Sequence, residues 1–232
     1  MRFSIYQFKI VYSPIKWVLC LLFVCLIPIA TYAPSLIDVL NTFEIYMPLI
    51  GVILLSDLPL IESSSRTEEL IYLCKRSKAP TILIRLTTLI ILIILLELIG
   101  VALLALNLSP HGYIFREEPL NFWKLISITL PGILFLGGIA LSFSNAFKSS
   151  AIGYIVSLSY WSYWMIGANM DKNTPMNLFA FANRQDYRIS KVLLLLIFIV
   201  LVVYNIYLSN KSPLNRLSLN KFNNFFLKIK NL

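Results

Sequence analysis

Residues 91–106 read ILIILLELIGVALLAL and residues 192–203 read VLLLLIFIVLVV. Neither run offers a polar face, so neither suits an amphipathic helix or a half-buried strand on a soluble domain. A helix crosses a bilayer with about 20 apolar residues, satisfying its backbone polar groups within the segment. Composition agrees: 58% of the 232 residues are apolar and 13% are charged, against about 25% charged in soluble domains. An all-α, polytopic membrane protein follows, with one membrane domain over residues 17–209 and no room for a large soluble one.

Six runs qualify as membrane-spanning helices, at about residues 17–33, 45–61, 81–108, 125–147, 151–168 and 192–208. The second is the weakest, with Glu44 at its start and Pro48, Asp57 and Pro59 interrupting it. Lys and Arg concentrate in cytoplasmic segments. With the N-terminus inside, the inner segments hold Arg2, Lys9, Lys16, Arg66, Lys75, Arg76, Lys78, Arg85, Lys148, Lys211, Arg216, Lys221, Lys228 and Lys230. The outer segments hold only Arg116, Lys124, Lys172, Arg184, Arg188 and Lys191. Both termini are therefore expected in the cytoplasm, in a multi-pass protein of the bacterial cytoplasmic membrane. The net charge of +9 is spread over loops, which fits membrane orientation rather than nucleic-acid binding. Trp17, Trp123, Trp161 and Trp164 fall near span ends, as interfacial aromatics do.

Residues 1–16 form a separate piece. Arg2, Lys9 and Lys16 recur every seven residues on one helical face, Phe3, Tyr6 and Ile10 share another, and Pro14 ends the pattern. An amphipathic helix on the inner membrane surface is expected, although Phe3, Ile5, Phe8 and Ile10 also half-fit an alternating pattern. The first apolar run lacks a small-residue cleavage site, so it is expected to stay as an uncleaved span. Residues 210–232 read as a basic cytoplasmic tail. Cys20, Cys25 and Cys74 form no CxxC pair, which suggests neither a disulfide framework nor a zinc site.

Between the second and third spans lies a charged island, ESSSRTEELIYLCKRSK, at residues 62–78. Each charge at mid-membrane costs roughly 2.5–3.5 kcal/mol on insertion scales, so this stretch belongs in water. Ser65 and Glu68 have capping-box spacing. Glu68 and Glu69 suit the first turn of a helix, and Lys75, Arg76 and Lys78 suit the last. Pro80 then stops it. A short capped helix over residues 66–77 is expected, with Leu70, Leu73 and Cys74 as its apolar stripe.

The order Ser56-Asp57-Leu58, Glu62, Arg66-Thr67-Glu68-Glu69-Leu70 and a basic cluster resembles that of ABC-2 type transporter permeases. The sequence-specific part of the resemblance covers residues 57–85. Arg66-Thr67 stands where the family often has Gly-Thr, and no Pro follows Leu73 directly. The six-span layout, inner termini and N-terminal amphipathic helix extend the likeness to the whole chain. The resemblance implies that residues 62–80 form a coupling-helix loop, with Glu62, Arg66, Thr67, Glu68, Glu69, Leu70, Leu73, Lys75 and Arg76 meeting a groove on a separate ATPase subunit. It also implies an outward direction of transport, and a second permease copy or paralogue to complete the pathway. No G-x-x-x-x-G-K-[ST] motif occurs, so ATP would be bound by the partner and the chain itself is expected to need no cofactor. Small size without a large outer domain is compatible with a peptide or antibiotic as substrate.

Other residues carry alternative readings. Glu97 is the sole carboxylate deep in a strong span, about 18 Å along a helix from Arg85. It reads either as a substrate-path or subunit-interface residue, or as a protonated acid bonded to a neighbouring helix. Pro131-Gly132 and Gly137-Gly138 suit either bending or close packing. Tyr160, Trp161, Tyr163 and Trp164 read as an interface belt or a substrate cage. Residues 169–190 exceed a simple turn, and Met176, Leu178, Phe179 and Phe181 suit either a helix dipping into the membrane edge or a loop resting on lipid. The ABC-2 resemblance implies re-entrant helices there. His111 with Glu117-Glu118 falls short of the three ligands of a metal site. Glu68-Glu69 lacks the Arg and His of Glu-Glu intramembrane proteases, so an enzyme is not expected. A non-transporting immunity or sensor protein is the alternative function, and would have no ATPase gene beside its own.

Overall fold

The computed structural model describes residues 13–31, 35–61, 78–105, 121–166, 176–183 and 187–210. Seven helices run through them: α1 (Pro14–Ala30), α2 (Leu36–Tyr46), α3 (Pro48–Leu55), α4 (Ala79–Ala105), α5 (Phe122–Phe147), α6 (Ser150–Ile166) and α7 (Tyr187–Asn210). No strand occurs among the described residues. Four stretches are long and apolar enough to cross a membrane: α4 over Ala79–Leu103, α5, α7, and Leu36–Leu55, which joins α2 to α3. Helix α1 is apolar but shorter, at 17 residues.

The second span is longer than its apolar run suggests. It begins at Leu36 rather than at residue 45, because Ser35 and Asp38 form a reciprocal capping box that starts the helix early. A hydropathy reading discounts this turn for its polar residues. Met47 separates α2 from α3, and the cause is Pro48, which has no N–H to donate to the preceding turn. Met47 N–H still reaches Phe43 O at 3.0 Å, while Ile50 N–H turns to Met47 O at 3.0 Å, a tighter local bond. Pro80 likewise sits in the first turn of α4, where a missing N–H costs nothing. Lys78 directly precedes that helix and is buried; the helix expected over residues 66–77 lies outside the described residues.

Helix α5 is the centre of the bundle. In its most apolar stretch 78% of residues are buried, against 28% for α7 and 33% for α4. It packs on α3, α6 and α7, while α1 lies mainly along α4. Glycines permit the closest approach. A Cβ on Gly51 would overlap Ile133 O, and one on Gly137 would overlap Leu55. Gly51 on α3 and Gly137 and Gly138 on α5 are thus packing devices, consistent with small residues at membrane helix contacts. The outward face of α7 is also apolar, through Val192, Leu196, Ile199, Val200 and Val203. Such a helix, apolar all round, suits a hydrocarbon surround.

Polar contacts mark two ends. At one, Lys16 pairs with Asp57, Lys78 N–H donates to Asn210 Oδ1 at 3.1 Å, and Asn145 Nδ2 donates to Ser209 Oγ at 3.2 Å. At the other, Glu44 on α2 pairs with Lys191 on α7, and Trp161 Nε1 on α6 donates to Ile45 O at 2.8 Å.

Candidate functional site

The Glu44 end contains an element that the sequence outlines only loosely. Residues 176–183 turn inward between α6 and α7, burying Leu178, Phe179 and Ala180 completely or nearly so. They form consecutive turns rather than an α-helix. Asn177 Oδ1 accepts from Phe179 N–H at 2.9 Å, and Asn183 N–H donates to Phe179 O at 3.0 Å. The apolar residues of this stretch do dip inward, except Met176, which stays exposed.

Irregular backbone inside a membrane protein needs partners for its polar groups. Glu44 provides them. Its carboxylate accepts from Phe181 N–H at 3.1 Å and from Ala182 N–H at 2.7 Å. Lys191 Nζ lies 2.5 Å from the same carboxylate and donates to Leu178 O at 2.9 Å. Glu44 is 1% exposed and Lys191 is 4% exposed. Two charges removed from water this fully are tolerated only when paired and hydrogen-bonded, as both are.

Helix α6 holds the other side. Tyr160 OH donates to Met176 O at 2.9 Å. The Trp161 ring stands edge-on to Phe179 with centroids 6.4 Å apart, within the favourable range for aromatic pairs. Tyr160 and Trp161 are therefore scaffold residues for the turned segment. Tyr163 faces outward at 61% exposure.

Glu97 lies apart from this clamp. It is fully buried, and one carboxylate oxygen accepts from Thr129 Oγ1 across α4 and α5. Among the described residues the other oxygen has no hydrogen-bond partner. One turn further along, Gly100 lies against Phe43 and Val24, so α1, α2 and α4 converge beside the acid. The residues expected to meet an ATPase, Glu62, Arg66, Thr67, Glu68, Glu69, Leu70, Leu73, Lys75 and Arg76, lie outside the described residues, as do residues 1–12, His111, Glu117-Glu118 and the tail from 211 onward.

Sequence reasoning missed Glu44 and Lys191 as a pair. It left the first at a span boundary and counted the second among the cations of the outer segments. Glu44 stands between Phe43 and Ile45, and Lys191 borders the apolar run that starts at Val192, at the same expected membrane level and of opposite sign. That combination was the available signal. The chain matches no protein-family model, no curated protein and no solved structure.

Proposed function

We propose that the chain is the permease subunit of an ABC-2 type exporter in the bacterial cytoplasmic membrane. It would form six spans with both termini inside, work with a separate ATPase subunit and pair with a second copy or paralogue. What supports this reading is the inward-turned segment 176–183 between the last two helices, held by Glu44 and Lys191. A re-entrant outer element at this place in the chain is what the resemblance of residues 57–85 implies. The substrate class that fits is an amphipathic peptide or antibiotic.

The mechanism begins in the ATPase pair, whose closure on ATP pushes the helix expected over residues 66–77. That segment joins α3 to α4. The ends it joins are tied laterally: Asp57 to Lys16 of α1, and Lys78 to Asn210 of α7. A displacement delivered there enters α1, α3, α4 and α7 together. The clamp at the opposite end keeps α2, α7 and the turned segment moving as one body. The pathway between the two permease halves then opens outward.

The test is co-purification with a candidate ATPase subunit, followed by charge reversal across Thr67–Arg76. Loss of the complex, by ~2 kcal/mol or more at one or two positions as interface anchors show, is the expected result. Unchanged complex formation and ATP turnover would sink the assignment.

A further inference from the structure

Glu97 lies on the inner stripe of α4 with Leu86, Leu89, Ile93, Leu96 and Gly100, all buried. A Cβ on Gly100, one turn on, would meet Phe43 of α2 and Val24 of α1. Glu97 is 0% exposed, so the packed bundle shields its carboxyl from solvent. Four buried side-chain polar atoms lack a hydrogen-bond partner among the described residues, and of these only Glu97 Oε2 belongs to an acidic or basic side chain.

Glu44 shows how this chain accommodates an ionised buried carboxylate: Phe181 N–H, Ala182 N–H and Lys191 Nζ all serve it. No ion pair reaches Glu97 among the described residues. The charged side chains of the surrounding elements are placed elsewhere. Lys16 of α1 pairs with Asp57 beyond α3, Asp38 caps the start of α2, and Lys191 of α7 holds Glu44. Lys78 and Arg85 stand towards the start of α4, Arg85 about 18 Å along the helix from Glu97. Lys124 of α5 and Arg188 of α7 are exposed, and Lys148 lies past the far end of α5.

Counting protons decides the state of the acid. Thr129 Oγ1 lies within hydrogen-bond distance of two oxygens, Glu97 Oε1 and Leu125 O, the second at 3.0 Å. A hydroxyl carries one proton and two lone pairs. With Glu97 ionised, Thr129 serves one of the two, and the other contact sets oxygen against oxygen with no proton between. With a proton on Glu97 Oε1, both contacts are hydrogen bonds: the acid donates to Thr129 Oγ1, and Thr129 donates to Leu125 O. The Glu97–Thr129 bond then runs in the reverse sense from the one made to an ionised carboxylate. Oε2 is left as an uncharged carbonyl oxygen, far cheaper to bury unpaired than a charge.

We propose that Glu97 is a proton-binding site, which carries one proton in the packed bundle and releases it to water when α4 parts from α5. The packed form then holds one proton more than the unfolded chain at any pH above the ordinary glutamate range, about 4.3. The stability this proton contributes is fully present below that range. It falls as pH rises, by about tenfold in the folding equilibrium per pH unit, until Glu97 ionises within the bundle as well. Acid therefore favours the packed bundle and base favours its opening. The proposal does not depend on the transport reading.

Infrared spectroscopy of the full chain in detergent, at roughly pH 6 and so well above the ordinary glutamate range, tests it. The wild type should show a carboxylic C=O stretch, shifted down in D2O, that Glu97→Gln lacks. Thr129→Val, which removes the acceptor of the acid proton, should move that band to higher frequency. Thr129→Ser, which keeps the hydroxyl, should leave it in place. The Gln amide can also donate to Thr129, so Glu97→Gln should still unfold cooperatively. Between about pH 5 and 6 the wild type should lose about tenfold in its folding equilibrium relative to that variant. An ionised carboxylate signal in place of the acid band overturns the proposal, as does an acid band that persists in Glu97→Gln. Parallel pH dependence of the two proteins overturns it as well. If Glu97→Gln does not fold, the Thr129 pair decides: an identical band in Thr129→Val and the wild type overturns the proposal, and a shift confined to Thr129→Val upholds it.

Discussion

Glu44 and Lys191 approach to 2.5 Å from α2 and α7, and between them they satisfy Phe181 N–H, Ala182 N–H and Leu178 O of a segment belonging to neither helix. Three separate parts of the chain thus share one buried pair of opposite charges. The arrangement makes the pair a junction, because removing either charge leaves the other uncompensated in a dry interior.

The first prediction concerns that asymmetry. Glu44→Gln or Lys191→Met alone should destabilise the protein by about 3–5 kcal/mol, the usual cost of stranding one member of a buried ion pair. The double variant should lose less than the sum of the two, since no unpaired charge remains. Thermal unfolding of all four proteins in one detergent gives the coupling energy. Strictly additive losses would show that the charges do not stabilise one another.

Glu97 allows a second test. Thr129 Oγ1 is hydrogen-bonded to one of its oxygens, and the other oxygen has no partner among the described residues. Thr129→Val should cost about 1–3 kcal/mol, the penalty for leaving a buried polar group unsatisfied. Adding Glu97→Met should restore most of that loss, because the pair is then replaced by apolar groups of similar size. A melt unchanged by Thr129→Val would remove the hydrogen bond from the list of stabilising contacts.

Glycine substitutions should separate packing from permissive positions. Gly51→Ala drives a Cβ into Ile133 O and should cost about 1–3 kcal/mol, as overpacking does. Gly132→Ala meets Pro48 Cγ at 3.4 Å and Leu178 Cδ1 at 3.5 Å, which are ordinary contacts. That variant should be neutral or stabilising by up to about 1 kcal/mol from helix propensity. If the two variants melt together, the close approach of α3 and α5 is not what limits stability.

Asn205 joins α7 to α5 by donating to Ser142 Oγ at 2.7 Å, and its Oδ1 accepts from Asn145 Nδ2 at 3.0 Å. Asn205→Leu should weaken the bundle by about 1–2 kcal/mol, the upper range for hydrogen bonds between membrane helices. Ser209→Ala removes only one acceptor of Asn145 Nδ2, which keeps Asn205, and should cost roughly 0.6 kcal/mol by the same scale. Equal effects at the two sites would contradict the network.

The helices after residue 79 were largely legible in the chain. The expected spans at 81–108, 125–147, 151–168 and 192–208 lie on α4 to α7 within a few residues at most ends. The second span was misplaced because a capping box and a mid-helix proline set its limits, and neither contributes to an apolar run. The inward position of residues 176–183 was one of two open readings, and Phe179 and Leu178 were the residues that carried it.

By itself, the sequence determined the all-helical class and the presence of runs apolar enough to cross a membrane; it counted six such runs, and among the described residues four helices have that length and composition. Those properties follow from local composition and from caps within one turn of the residues they serve. Tertiary structure alone decided which polar residues meet. Apolar helices have no polar face to reveal their inward side, so periodicity does not say that Glu97 faces Thr129. Nor does any window of the chain contain both Glu44 and Lys191. Their pairing depends on how α2 and α7 pack around α5 and the turned segment, and only that packing turns two isolated charges into a clamp.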